Sequence, residues 1–363
     1  MAFHLKNGRQ FLEKTGLDGL LLTSRENKFY AAGLYSGSGY VLITLKGCYA
    51  IVDGRYYLQQ KCRMEEAGAA GGLNAAALLA DDSRRFFDHI NEIAAMEQIK
   101  TLGFEQDGVT YIQYQKLKAA LEPVLVPVSA DPIRMVKDEE EIACISRACE
   151  IADRGYSYIL GQIRAGMTEK QVENHLLYYM KNLGAQKESF DIIVASGENG
   201  AKPHAKAGDR VIRDGDFVTM DFGVRVGEYC SDITRTVAVG YAAPEMSGIY
   251  EIVRRAQRLA VGAIRPGMKC SEIDRVARAV IEDAGFGKEF SHNLGHGLGI
   301  ACHELPNFSK SDDTVLQSGM VMTVEPGIYV EGLGGVRIED DVLVTEDGYR
   351  LLTASSRELT VVG

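Results

Sequence analysis

Two stretches of the 363-residue chain, IRAGMTEKQVENHLLYYMKNLGA at residues 163–185 and IRPGMKCSEIDRVARAVIEDAGF at residues 264–286, open alike on Ile-Arg-x-Gly-Met. Both continue with helical spacing and close on a turn containing glycine. Self-similarity of this kind marks an internal repeat. Thr168 with Gln171 forms a capping box in the first copy, and Ser271 is placed to cap the second helix. A long helical pattern precedes each copy, and a β-rich, glycine-rich stretch follows it. The pattern predicts two α+β halves packed about a pseudo-twofold axis; the alternative is two unrelated helix-turn-helix joints that share a glycine turn.

Upstream of the first copy, Asp138 is the expected N-cap of a long amphipathic helix. Ile142, Ile145, Cys149, Ala152, Tyr156, Ile159 and Ile163 recur in it at three- and four-residue steps, to an end near Ala165 and Gly166. Before it, VPVSADPIRMVK (126–137) has two prolines and no helical period, which places a boundary there. The expected domains are 1–131 and 132–363. The first reads as an α/β domain: LDGLLLT (17–23) and a hairpin in YVLITLKGCYAIVDG (40–54) turning at Lys46 and Gly47, with helices near 56–66, 83–96 and 111–121.

Composition narrows the function. Fifty acidic against forty basic residues give a charge of −10, and no basic cluster argues for nucleic acid or anionic membrane as partner. Seven scattered cysteines without a Cys-x-x-Cys pair suggest neither a disulfide framework nor a thiolate zinc site. No apolar run is long enough for a membrane helix, and MAFHLKNGRQFLEKTG is amphipathic where a secretion signal would be apolar. A cytoplasmic protein acting on small molecules or peptides is expected.

The chemistry concentrates after the repeat. VTMDFGVRVGEYCSDITRT (218–236) carries Asp221 and Asp232 in the first half, and VMTVEPGIYVEGLGGVRIEDD (321–341) carries Glu325 and Glu339 in corresponding positions of the second. Under the repeat these four carboxylates face one another. Buried side by side they could not all ionise without cations, and a pair of divalent ions would offset the repulsion. Imidazoles cluster nearby: His292, His296 and His303 in SHNLGHGLGIACHELP (291–306), and His204 in AKPHA (201–205). Glycines 295, 297 and 299 are expected to let backbone approach the metals. Rival motifs fail on spacing. Asn307 stands where an HExxH helix needs its second histidine, GHGLG is no GxGxxG fingerprint, and neither a GxSxG elbow nor a Walker loop occurs.

The order Asp221, Asp232, His296, Glu325, Glu339, with His204, His292 and His303 interspersed, resembles the site of the pita-bread metallopeptidases (peptidase family M24), which include methionine aminopeptidase, aminopeptidase P and prolidase. The likeness runs from about residue 138 to the end. KPHA, DFG, SDITRT, GHGLG, HELP, VEPG and RIEDD stand as in the proline-directed branch, and the extra N-terminal α/β domain is creatinase-like.

This resemblance implies an exopeptidase that cleaves an N-terminal Xaa-Pro bond with a hydroxide bridging two divalent ions. Manganese is expected, with cobalt, zinc or iron as alternatives. Asp232 and Glu339 would bridge the ions, Asp221 would complete one shell, and His296 with Glu325 the other. Glu325 would relay a proton, while His204 and His303 would hold the substrate and stabilise the oxyanion. His292 would lie on the proline side, Phe190 would line the proline pocket, and Arg337 would pair with acidic groups or substrate. Thr234 would orient Asp232. Several members are dimers or tetramers, so a homodimer is expected. Some archaeal prolidases carry arginine after His-Glu-x-Pro, suited to a dipeptide's carboxylate. Asn307 stands there instead, which tilts the expectation toward longer peptides. The rival reading is a creatinase-like hydrolase cleaving a C–N bond without metal.

Overall fold

The structure, a computed structural model, describes residues 4–71 and 74–363, so the first three residues of the expected amphipathic start lie outside it. The chain divides into two units, Met1–Arg134 and Met135–Gly363. Among the described residues no helix is long and apolar enough to cross a membrane.

In the first unit a six-stranded sheet runs in the order Asn74–Leu79, Gly47–Val52, Tyr40–Thr44, Gly19–Leu22, Thr101–Glu105, Val124–Val128. Side chains alternate across a strand, so each strand feeds two cores. Leu20, Leu22, Val41 and Ile43 pack with Leu5, Leu12 and Met64 on one face. Leu21, Leu42 and Ile51 pack with Ile90, Ile93 and Leu117 on the other. The α/β expectation holds. The hairpin turn, however, is Leu45 and Lys46, because the Thr44 hydroxyl accepts from the Lys46 and Gly47 amides and Gly47 already begins the next strand.

In the second unit Asp138 caps the helix Glu139–Leu160, and its side chain accepts from the Glu141 amide at 2.9 Å. The helix stops short of Ala165. The repeat is real at the level of the backbone. Gly166, at φ 90°, donates to Ile212 O, while Gly267, at φ 89°, donates to Leu316 O; Ile212 N and Leu316 N return bonds to Met167 O and Met268 O. Only glycine takes this left-handed conformation without strain, which explains the shared Gly-Met opening. Each turn leads into a helix, Glu169–Asn182 or Cys270–Asp283. Thr168 caps the first as expected. Lys269 occupies the cap position of the second, while the Ser271 hydroxyl donates to Asp313, so Ser271 does not cap.

The helices Glu139–Leu160 and Glu169–Asn182 cover one face of the sheet formed by Ile193–Ser196, Phe217–Phe222, Ile233–Val239 and Val361–Val362. Pro244–Ala263 and Cys270–Asp283 cover the corresponding sheet that contains Val321–Val324 and Asp340–Val344. Strand parity then places the acids. Met220, Phe222 and Ile233 belong to the first helix-facing core, so Asp221 and Asp232 point to the opposite face. Met322, Val324, Ile338 and Val342 belong to the second core, so Glu325 and Glu339 also point away from their helices. The helix-free faces of the two sheets therefore carry all four carboxylates.

Candidate metal centre

The strands Phe217–Phe222 and Ile233–Val239 pair antiparallel with Asp221 opposite Thr234, and Asp232 lies at the end of the second. In the other sheet Val324 pairs with Asp340, so Glu325 and Glu339 lie just beyond the paired residues. The Glu339 amide donates to Thr234 O at 3.1 Å and joins the two sheets at this point. Asp232, His296 and Glu339, all buried, bring one ligand atom each to within 4.8 Å of one another.

His296 gives the sharpest test of whether a cation fits. Its Nδ1 lies 3.0 Å from Gly297 O, which can only accept, so Nδ1 carries the hydrogen. Nε2 then faces Glu325 Oε1 at 3.4 Å and Asp232 Oδ2 at 3.8 Å. A neutral ring would set its lone pair against carboxylate oxygens, an arrangement that a metal ion among them makes favourable. Without one the carboxylates favour the protonated ring: burial disfavours its charge, but Glu325 outweighs burial and raises its pKa. Asp221 Oδ1 and Asp232 Oδ1 are buried with no hydrogen-bond partner. Buried polar atoms are normally satisfied, so these oxygens fit a ligand role.

The electrostatics agree. Burial, with repulsion from Glu339, Asp221, Asp341 and Glu325, drives the Asp232 carboxyl well above its ordinary range. Glu339 is pushed up in the same way by burial, Glu325 and Asp221. Burial also opposes ionisation of Glu325, but its bond to and attraction by His296 prevail and lower it to about 2. Two divalent cations would relieve the first two groups, and the oxygen-rich set with one imidazole suits hard or borderline ions.

Around this set Thr234 Oγ1 donates to Glu339 Oε2 at 2.6 Å. Thr234 thus orients Glu339, and the expectation that it orients Asp232 is corrected: parity turns its side chain toward the second sheet. The Asp232 amide donates to Asp341 Oδ2 at 2.8 Å, and the Cys302 thiol donates to Asp232 Oδ2 at 3.2 Å. Arg337 is buried and donates to Asp221 Oδ2 at 2.5 Å, Tyr329 Oη at 2.8 Å, Thr234 Oγ1 at 3.1 Å and Pro203 O at 3.4 Å. Two of the expected glycines are required by close strand packing beside the site. A Cβ at Gly295 would collide with Thr323 O, and one at Gly297 with Leu305 O, so they let the strands flanking His296 close in.

A cavity of about 740 Å³ opens onto these groups and is lined also by His204, His292, His303, Phe190 and Tyr329. His303 is exposed, with its ring centroid 4.2 Å from that of His296, and His204 is exposed on the same cavity. Phe190 is half-buried. The His292 Nδ1 bonds Asn293 O at 2.7 Å and so carries the hydrogen, leaving Nε2 to accept from Tyr329 Oη at 2.9 Å. Burial lowers the His292 and His303 pKa values, which favours neutral rings. The expected ligands Asp221, Asp232, His296, Glu325 and Glu339 thus border one cavity with His204, His292, His303, Phe190 and Arg337, while Thr234 lies behind it. Tyr329 and Asp341 were missed, although Asp341 stands in RIEDD beside Glu339 and Tyr329 in GIYV after Glu325.

Residues 143–346 match the family described as Metallopeptidase family M24, and residues 4–136 match Creatinase/Prolidase N-terminal domain. The chain is similar to an Xaa-Pro dipeptidase of Pyrococcus horikoshii, with 38% identity over 96% of each chain. Among solved structures it resembles an Xaa-Pro dipeptidase from Bacillus anthracis (TM-score 0.92, 40% identity, 99% of each chain). It also resembles an X-Pro aminopeptidase from Thermotoga maritima (TM-score 0.87, 35% identity, 99% of each chain).

Proposed function

The chain belongs to metallopeptidase family M24, and from that premise we propose that it is a metal-dependent exopeptidase hydrolysing the N-terminal Xaa-Pro bond. The observation that carries this reading is the His296 Nε2 turned onto Asp232 and Glu325 beside the unpartnered oxygens of Asp221 and Asp232. Asp221, Asp232, His296, Glu325 and Glu339 would hold two divalent ions, with manganese as the expected metal. Bound there, the ions supply a Lewis acid for the scissile carbonyl and a water acidified to near neutrality.

The chain's own residues divide the remaining work. Glu325, held ionised, accepts a proton and passes it to the departing imino nitrogen. His204 and His303 hold the substrate carbonyl and support its developing negative charge. Phe190, His292 and Tyr329 offer rings to the pyrrolidine. Arg337 has its guanidinium committed to Asp221, Tyr329 and Thr234, so it positions a ligand and does not reach for substrate. A tertiary Xaa-Pro amide has no N–H to offer, so such a site must recognise ring shape and the free amino end.

Similarity to Xaa-Pro dipeptidases favours Xaa-Pro dipeptides over the longer peptides suggested by Asn307. The test is release of the N-terminal residue from an Xaa-Pro dipeptide and an Xaa-Pro-Yaa-Zaa tetrapeptide, with manganese or with chelator. Chelator-sensitive cleavage that disappears in Asp232→Ala supports the reading. Hydrolysis of a guanidino or amidino C–N bond unaffected by chelator would replace it with the creatinase-like alternative.

A further inference from the structure

A dipeptide differs from the start of a longer peptide in one chemical feature at this site: a carboxylate directly on the proline. Recognising that carboxylate calls for a cation with free donors. Three cations line the cavity, Lys170, Lys206 and Arg337. Arg337 is buried and committed to Asp221. Lys170 donates to Glu173 at 2.5 Å. Asn307, also on the cavity wall, is uncharged.

Lys206 is the remaining one. It is exposed and, among the described residues, has neither an ion pair nor a side-chain hydrogen bond. It sits two residues from His204 in a loop that the buried Glu169 ties down at both ends. The Glu169 carboxylate accepts from Asn199 Nδ2 at 3.2 Å on one side and from the Gly208 amide at 3.3 Å on the other. The Lys170 amide adds a bond to Gly208 O at 3.0 Å, and the Ala205 amide one to Lys202 O at 3.1 Å. The backbone beneath Lys206 is thus fixed while its ammonium stays available on a four-carbon stem.

We propose that Lys206 receives the C-terminal carboxylate of an Xaa-Pro dipeptide and so selects dipeptides over longer peptides. This rests on the Xaa-Pro reading and deepens it. The experiment compares an Xaa-Pro dipeptide with its C-terminal amide, using the manganese-loaded full chain and Lys206→Ala, Lys206→Glu and Lys206→Arg. Lys206→Ala should raise KM for the dipeptide about tenfold or more, the size expected for a charge-assisted hydrogen bond. Its effect on the amide should be smaller by at least that ratio, with kcat changing less than KM. Lys206→Glu should invert the preference toward the amide, and Lys206→Arg should restore much of the dipeptide's advantage. Free proline should lose potency as a competitive inhibitor in Lys206→Ala. Equal losses on dipeptide and amide, or no loss on either, would overturn the assignment of Lys206 and leave the Xaa-Pro reading standing. Cleavage of neither by the unaltered protein would overturn both.

Discussion

Arg337 Nη2 lies 2.5 Å from Asp221 Oδ2, with both side chains almost wholly removed from water. A buried carboxylate deprived of its counter-charge is left uncompensated, which typically costs ~3–5 kcal/mol. Arg337→Met is expected to lower the melting temperature and, by loosening Asp221, to weaken metal retention roughly 10- to 100-fold. Arg337→Lys should rescue little, since one ammonium cannot reach Asp221, Thr234 and Tyr329 together. Metal analysis after dialysis, read beside thermal unfolding, checks this. Full metal content in Arg337→Met would show that Asp221 needs no such support.

Thr234 makes a narrower contact, a single 2.6 Å donation to Glu339 Oε2. Thr234→Val keeps the shape and removes the donor. It should reduce manganese affinity about tenfold with little change in fold. Titration calorimetry on the chelated protein reads it directly, and an unchanged affinity would sink the orienting role.

Much of this site was legible because a repeat and strand parity together are strong constraints. Once the segments at 163–185 and 264–286 align, Asp221 and Glu325 fall at matching ends of matching strands, and period-2 alternation places them opposite the helices. What escaped depends on register between strands distant in sequence. Thr234 meets Glu339 and not Asp232 because of the packing of one sheet on the other, which no local pattern encodes. Arg337 looked available to substrate because its burial comes from Tyr329 and Pro203, contributed by a neighbouring hairpin strand and a loop far upstream. Ser271 has the right chemistry for a cap but lies two residues past the cap position held by Lys269, and Asp313 accepts from its hydroxyl.

The raised carboxyls make stability depend on pH in the metal-free protein. Asp232 and Glu339 lie well above their ordinary values, and burial lifts Asp341 to about 8. The unfolded chain ionises these groups near pH 4 while the folded chain holds them protonated, so the folded state loses ground as pH rises from about 4 toward 8. His296, raised by Glu325, adds to this loss as pH rises, whereas Glu325 acts oppositely and loses its contribution only as pH falls toward 2. Chelated protein should therefore melt lower at pH 8 than at pH 5, and manganese should raise the melting temperature most at pH 8. A chelated protein more stable at pH 8 would contradict the arrangement.

Lys137 Nζ and Glu304 Oε2 lie 3.1 Å apart with side chains only 1% and 2% exposed. Glu304 also accepts from the Ala301 amide at 3.0 Å and directly follows His303. Val136 bridges Met320, and the Lys137 amide donates to Gly319 O at 2.9 Å, so the segment leading into the long helix is fastened to the start of the strand bearing Glu325. Glu304→Gln leaves the buried Lys137 ammonium without its counter-charge and should cost ~3–5 kcal/mol. Lys137→Met removes one of the partners of Glu304, whereas the double variant should cost less than the sum because the two changes remove the same contact. A double-mutant cycle by denaturant unfolding measures this coupling. If the pair also sets His303, each single variant will lower kcat by more than it raises KM, and the double variant will recover stability without recovering kcat. Parallel recovery of both would mean that the pair serves folding alone.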